Sequence, residues 1–203
     1  MYAEVMSTVY TLIEFFSSFT VVPIDPDEVR DQIVGYGVKD EIRFIGVDLN
    51  ERIILGALHH YTKSPGVYAE PIVCADIYHD RSQDRRWRRV ICVKELMHLL
   101  DRSPSLTATQ AQCEKLLHDL TIVAVTSSSF SIDAFTAWHD HLMLYCAVMV
   151  LFPIDARNIL FPSYSSGLLS IEKIANEVDL PETLVRLVMS DGWPRLYETI
   201  VHS

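Results

Sequence analysis

No C-x-x-C spacing occurs in this chain. Its four cysteines, Cys74, Cys92, Cys113 and Cys146, stand far apart, which excludes a zinc ribbon and a thioredoxin-type redox pair. In a reducing compartment they read as buried thiols. Basic charge is also scarce. Seventeen Lys and Arg face 27 Asp and Glu, a net charge of -10, and a field of that sign repels phosphate and argues against sequence-independent nucleic-acid binding. Long apolar runs are missing too. The longest uncharged one, Leu142 to Phe152, has eleven residues and stops at Pro153, against roughly 20 for a membrane-spanning helix. Glu4 lies ahead of the first apolar stretch and no basic residue does, so no secretory signal is indicated. The expectation is a cytoplasmic protein with no membrane partner. A Gly-rich phosphate loop, a nucleophile elbow and a dinucleotide fingerprint are all absent, which leaves nucleotide-dependent chemistry without support.

What is present is the composition of a globular protein. In 203 residues, 49% are hydrophobic and only 7 are Gly and 9 Pro, which is neither disordered nor low-complexity. That length suits roughly one domain, or one with a small addition. From Tyr2 to Phe19 the residues Val5, Val9, Leu12, Ile13 and Phe16 recur at helical spacing, predicting an amphipathic helix. Two prolines extend Val21–Pro26, and Asp25 can cap a short helix that Gly35 and Gly37 end. Three strand candidates follow, Ile42–Leu49, Arg52–Leu58 and Ala69–Tyr78, rich in β-branched and aromatic residues. After Asp84 the pattern is helical: Arg85–Leu100, Thr107–Val125, Ile132–Leu151, and a final pair split at Leu180-Pro181. Strands first and helices after argue for an α+β fold, with a small, mostly antiparallel sheet packed on a helical body. Pro162–Gly167, rich in Ser and turn formers, reads as a separator before the C-terminal helices.

The chemistry concentrates in Arg89-Val90-Ile91-Cys92-Val93-Lys94-Glu95-Leu96-Met97-His98, one residue away from a zinc-peptidase motif. In H-E-x-x-H two histidines on one helical face hold Zn²⁺ and the Glu activates its bound water. Here Glu95 and His98 keep their places and Lys94 stands at the first ligand position. Alone, K-E-x-x-H also describes many solvated helix faces. Its flanks resemble the ImmA/IrrE family of metallopeptidases, in which a basic residue precedes the motif by five positions, as Arg89 does, and a Pro-Val-Asp-like strand opens the domain, as Pro23-Ile24-Asp25-Pro26 does. A later helix running from Asp140 through Ala147 to Leu151-Phe152-Pro153 is similar to the family's third-ligand helix. Ile171–Ala175 with Leu180–Val185 looks like its following helix pair. The resemblance runs from about Pro23 to Met189.

That resemblance implies a zincin-like body over residues 1–161, including the N-terminal helix, and a helical appendage over 162–203 packed on it. It implies a bacterial or phage regulatory protein with Glu95 as general base, and His98, Asp140 and His141 as metal ligands, with Arg89 in support. Lys94 is the departure, because an ammonium has no lone pair to give a metal, and zinc binding is then weak or absent. Two readings stay open. One is a metallopeptidase-like protein that binds a transcriptional repressor or antitoxin without hydrolysis. The other is an active zinc-dependent endopeptidase that cleaves such a protein. His139 and His141 lie about 200° apart around a helix, so only one can face a shared cleft; the plain alternative puts both on its boundary. His59, His60, His79 and His118 have no metal-like spacing.

Arg81, Arg85, Arg86, Arg88 and Arg89, with Trp87 among them, form the only basic concentration. They can bind an acidic partner or nucleic acid, or they pair with Asp80, Asp84 and other carboxylates and orient the motif helix. The pair over Ser170–Ser190 has a helix-turn-helix spacing, but its second helix offers only Arg186 to a base and places Glu182 against phosphate. Direct nucleic-acid binding is therefore not expected. Ser127-Ser128-Ser129 reads as a turn.

Overall fold

The computed structural model describes residues 2–48, 56–66, 68–100 and 132–201. The expected Thr107–Val125 helix, the part of Arg52–Leu58 before Gly56, Cys113, His118 and the Ser127–Ser129 turn lie outside the described residues. Within them the chain is α+β. The order is α1 (Tyr2–Ser17), α2 (Pro26–Gly35), β1 (Glu41–Val47), β2 (Gly56–Lys63), β3 (Ile72–Asp80), α3 (Arg85–Leu100), α4 (Ile132–Leu151), α5 (Ile154–Ser165), α6 (Ile171–Val178), α7 (Glu182–Val188) and α8 (Trp193–Val201).

Local chemistry accounts for most of the boundaries. Val9, Leu12, Ile13 and Phe16 all fall on the buried side of α1. Asp25 caps α2, its carboxylate accepting from the Asp27 N–H at 2.8 Å, with Pro26 opening the helix. Gly37, at φ 93°, turns the chain beyond its end. Asp84 starts α3 by accepting from the Arg86 N–H at 2.9 Å. α4 stops where Pro153 follows, and α5 leaves at a bend of 76°. A break was expected at Pro162–Gly167, yet α5 runs through Pro162. Pro162 lies only three residues before its end, so the hydrogen bond its missing N–H forfeits disturbs little helix beyond it, and Ser165 and Ser166 return hydroxyl hydrogen bonds to the carbonyls of Pro162 and Ser163. The turn falls at Gly167, at φ 78°. The helix pair split at Leu180-Pro181 is present as α6 and α7. α8 is a further helix, which buries Trp193, Tyr197, Ile200 and Val201.

The sheet is small, with strand order β1-β3-β2. β2 pairs with β3 antiparallel, whereas β1 pairs with it parallel, so one of the two pairings departs from the mostly antiparallel expectation. β1 and β2 run in opposite directions, so β3, which inserts between them, can be antiparallel to only one. One face carries Ile42, Phe44, Leu58, Ala75 and Ile77 into the core, where α3 packs against β2 and β3. The other is roofed by polar side chains. Asp76, 4% exposed, accepts from Arg43 through Nε at 2.8 Å and Nη2 at 2.9 Å, and Arg43 Nη2 also donates to the Tyr61 hydroxyl at 2.6 Å. Such a bidentate pair is the form in which a carboxylate tolerates burial.

One cluster of buried apolar side chains includes residues from Val9 to Val201. No single helix among the described residues is long and apolar enough to cross a membrane.

The arginine-rich start of α3 is spent on structure. Arg85 and Arg89 reach Asp179 Oδ2 at 2.8 and 3.1 Å, Arg86 lies 3.8 Å from Oδ1, and Arg89 Nη2 donates to the Ile24 carbonyl. The carboxylate shared by these arginines is Asp179, while Asp84 caps the helix and Asp80 accepts from Ser82. Asp179 itself holds the left-handed position, φ 52°, that ends α6. Burial pushes the Arg89 guanidinium down from its ordinary value, with Asp179 opposing that shift, so the pair is needed. Asp179→Ala is expected to lower stability by about 3 kcal/mol, the scale for stripping a partner from a buried charge. Arg85→Ala, at a side chain 71% exposed, should cost under about 1 kcal/mol. Urea denaturation midpoints compare the two, and equal losses would contradict the clasp.

Candidate functional site

α3 and α4 pack on each other, and their contact brings the motif residues together. Lys94 and His98 are one helical turn apart on α3, so they share a face, and Asp140 projects from α4 between them. Lys94 Nζ donates to Asp140 Oδ1 at 2.6 Å and lies 3.2 Å from Glu95 Oε1. His98 Nε2 is 3.2 Å from the same Asp140 oxygen. A carboxylate only accepts, so Nε2 is the ring nitrogen that carries hydrogen in this contact. The side chains of Lys94, Glu95 and His98 are 13%, 7% and 15% exposed, and that of Asp140 is 29% exposed.

The electrostatics follow from that burial. Desolvation works against the Lys94 ammonium, but Glu95 and Asp140 together outweigh it and hold its pKa above the ordinary lysine value. Desolvation also works against the Asp140 carboxylate, and His98 and Lys94 outweigh it, holding Asp140 well below the usual carboxylate range. At neutral pH the contact is an ion pair. The Cys92 thiol, on the same helix, is pushed up to about 12 by burial, which makes it inert. Cys146 on α4 is pushed up to about 12 for the same reason.

Of the residues singled out from sequence, Lys94, Glu95, His98 and Asp140 meet in this cluster. Arg89 lies a turn and more away in the Asp179 clasp, supporting α3 rather than touching the cluster. His141 is exposed on α4. The histidine that α4 brings beside His98 is His139, 4% exposed, with ring centroids 5.5 Å apart. Only one of the two could face inward, and helix rotation selects His139. Among the described residues, no group of three or more His, Cys, Asp and Glu is arranged to hold a metal ion. The donor chemistry agrees. Tetrahedral zinc takes four donors, and here Lys94 presents N–H bonds, while His98 Nε2 directs its hydrogen at Asp140. Among the described residues, the donors at this cluster do not fit a zinc site.

Gly56 is a site residue that the sequence reading passed over. A Cβ on it would lie 2.2 Å from Ile91 Cγ2 and 3.1 Å from the Tyr78 carbonyl oxygen, with Glu95 Oε1 at 3.6 Å. Its missing side chain lets β2 lie against α3 beside Glu95. The available signal was a glycine within a strand, which often marks close backbone approach. Gly56→Ala is expected to cost about 1–3 kcal/mol through overpacking. Ile91→Ala removes the nearest obstructing atom, so the double variant should lose less than the sum of the singles, measured as a double-mutant cycle by chemical denaturation.

No protein-family model, no curated protein and no solved structure matches the chain, so the chemistry of this cluster is what guides a reading of its function.

Proposed function

We propose that this protein is a metal-free regulatory relative of ImmA/IrrE-type metallopeptidases, which acts by binding a protein partner of the repressor or antitoxin class and does not hydrolyse it. The observation that carries the reading is the Lys94 ammonium seated between Asp140 and Glu95, at the first-ligand position of the motif. One positive charge takes the place that a metal would hold, and it answers the same carboxylates. Glu95, the would-be general base, is engaged by that ammonium. The active-peptidase reading needs Lys94 to surrender its proton to become a donor, and both carboxylates oppose that loss.

A protein partner suits the remaining surface better than nucleic acid does. Three of the five arginines that could have met phosphate, Arg85, Arg86 and Arg89, converge on Asp179, and on α7 the exposed Arg186 stands beside exposed Glu182 and Thr183. The resemblance supplies the partner class.

Metal content of the purified protein, read by elemental mass spectrometry, tests the reading. Wild type should hold no zinc. Lys94→His should take up close to one equivalent and lose it when His98→Ala is added. Near-stoichiometric zinc in wild type, lost in His98→Ala, would overturn the reading in favour of the endopeptidase, and a Lys94→His variant without zinc affinity would overturn the family resemblance.

A further inference from the structure

We propose that this cluster receives a cationic side chain of the protein partner, an arginine or a lysine, which pairs with Asp140 Oδ2. The inference deepens the metal-free reading above and rests on it.

Glu95 and Asp140 bring two negative charges to the cluster, Lys94 brings one positive charge, and a neutral His98 brings none. One negative charge is left over. A divalent metal ion would answer both carboxylates, whereas an ammonium answers one, so a site built on Lys94 in place of a metal keeps the surplus. Among the described residues no other cation makes it up. The ion-pair partners of Lys94 and Asp140 there are Glu95, His98 and each other, while Arg85, Arg86 and Arg89 gather on Asp179 at the start of α3. Water can answer the extra charge as long as Asp140 stays 29% exposed. Once a partner covers Asp140, an unanswered charge becomes costly, so the partner that fits is one that brings a counter-ion.

An acceptor for that counter-ion is in place. Lys94 Nζ and His98 Nε2 both address Asp140 Oδ1, at 2.6 and 3.2 Å, and among the described residues no donor reaches Oδ2. Asp140 is also the most open of the four side chains, with Lys94, Glu95 and His98 more deeply buried. Its carboxylate is held by two donors before any partner arrives, so little side-chain freedom is lost when a third contact forms. Burial of Lys94 and Glu95 lowers the local dielectric and strengthens the attraction that a third charge feels. The same arrangement selects against other side chains. An acidic group is repelled, and a neutral amide satisfies the hydrogen bond but leaves the surplus charge covered and unanswered.

Titration of the full chain followed by ¹H–¹⁵N NMR tests the proposal, at pH 8, where an ordinary imidazole is uncharged. The probes are Nα-acetyl-arginine amide and its neutral isostere Nα-acetyl-citrulline amide. The arginine probe should shift the amides of Lys94 to His98 and of Asp140 saturably, with at least about tenfold higher affinity than citrulline, the scale of a hydrogen bond made to a charged group. Nα-acetyl-lysine amide in a third titration shows which cationic head the site prefers. Asp140→Asn, which removes both the surplus and the acceptor, should abolish the preference for charge, and Glu95→Gln, which removes the surplus alone, should reduce it. Equal behaviour of arginine and citrulline overturns the proposal, as do shifts spread over the surface with no maximum at Asp140. That contrast is read on wild type and does not depend on either variant folding. A preference unchanged in a folded Glu95→Gln overturns the charge count. Zinc in wild type would remove the metal-free reading and this site with it, whereas a zinc-free protein indifferent to the charge of the probe leaves that reading standing and removes only the site.

Discussion

A buried ammonium has to be answered by negative charge within a few ångströms, and the junction of α3 with α4 is organised around that demand. Removing a lysine from water costs several kcal/mol, recovered only when acceptors are close and well aimed. Lys94 has two, one from its own helix and one from α4. Asp140 is in turn held by His98, and β2 passes close to α3 beside Glu95 at Gly56. Around them the walls are apolar, with Val90, Val93, Met97, Met143 and Cys146 fully or nearly fully buried. The rotation of α3 about its axis and its height against α4 are therefore coupled to one charge cluster, because a slip of one residue would bury the ammonium without a partner.

The opposite half of α3 carries a second constraint of the same kind. Arg89 is buried between the Ile24 carbonyl and Asp179, so the helix is tied at its start to the segment before α2 and to the turn between α6 and α7. Four to five residues, slightly more than a helical turn, separate Arg89 from Lys94 and Glu95. The two clusters share the apolar stretch between them, and any displacement of α3 strains both. In this arrangement three of the five guanidinium groups in the one basic concentration, those of Arg85, Arg86 and Arg89, gather on a carboxylate that the fold brings to them.

How far the sequence could be read depended on the range of the forces involved. The bounds of α3 and α4 were legible because they are set locally, by the Asp84 cap and by Pro153. Asp25 as a helix cap was legible for the same reason. That Lys94, Glu95, His98 and Asp140 share one site followed from a motif and a resemblance. Parallel pairing of β1 with β3 was not legible, since nothing in either strand records which neighbour lies beside it. α5 was hidden by Pro162 and its serines, whose turn-forming tendency yields when the proline falls in a last turn and the hydroxyls bond back to the helix. Asp179 was out of reach as the partner of Arg89, because it lies 90 residues on and only the fold joins them. The choice of His139 over His141 depended on the rotation of α4, which periodicity narrows but does not settle.

An ammonium and a metal ion make different demands on their partners, and the difference constrains what this cluster can do. Both are compact positive centres that prefer several partners in a roughly tetrahedral arrangement. A metal accepts lone pairs, whereas an ammonium supplies hydrogens, so carboxylates can serve either and a histidine nitrogen cannot serve both in the same state. The geometry reflects that split. Asp140 and Glu95 turn towards Lys94, while His98 addresses Asp140 and not the cation. On the proposed reading, His98 serves as a carboxylate's hydrogen-bond donor where an active relative would have a metal ligand. On that reading the cluster gives up its electrophile, which leaves recognition as the function that the same architecture can still perform.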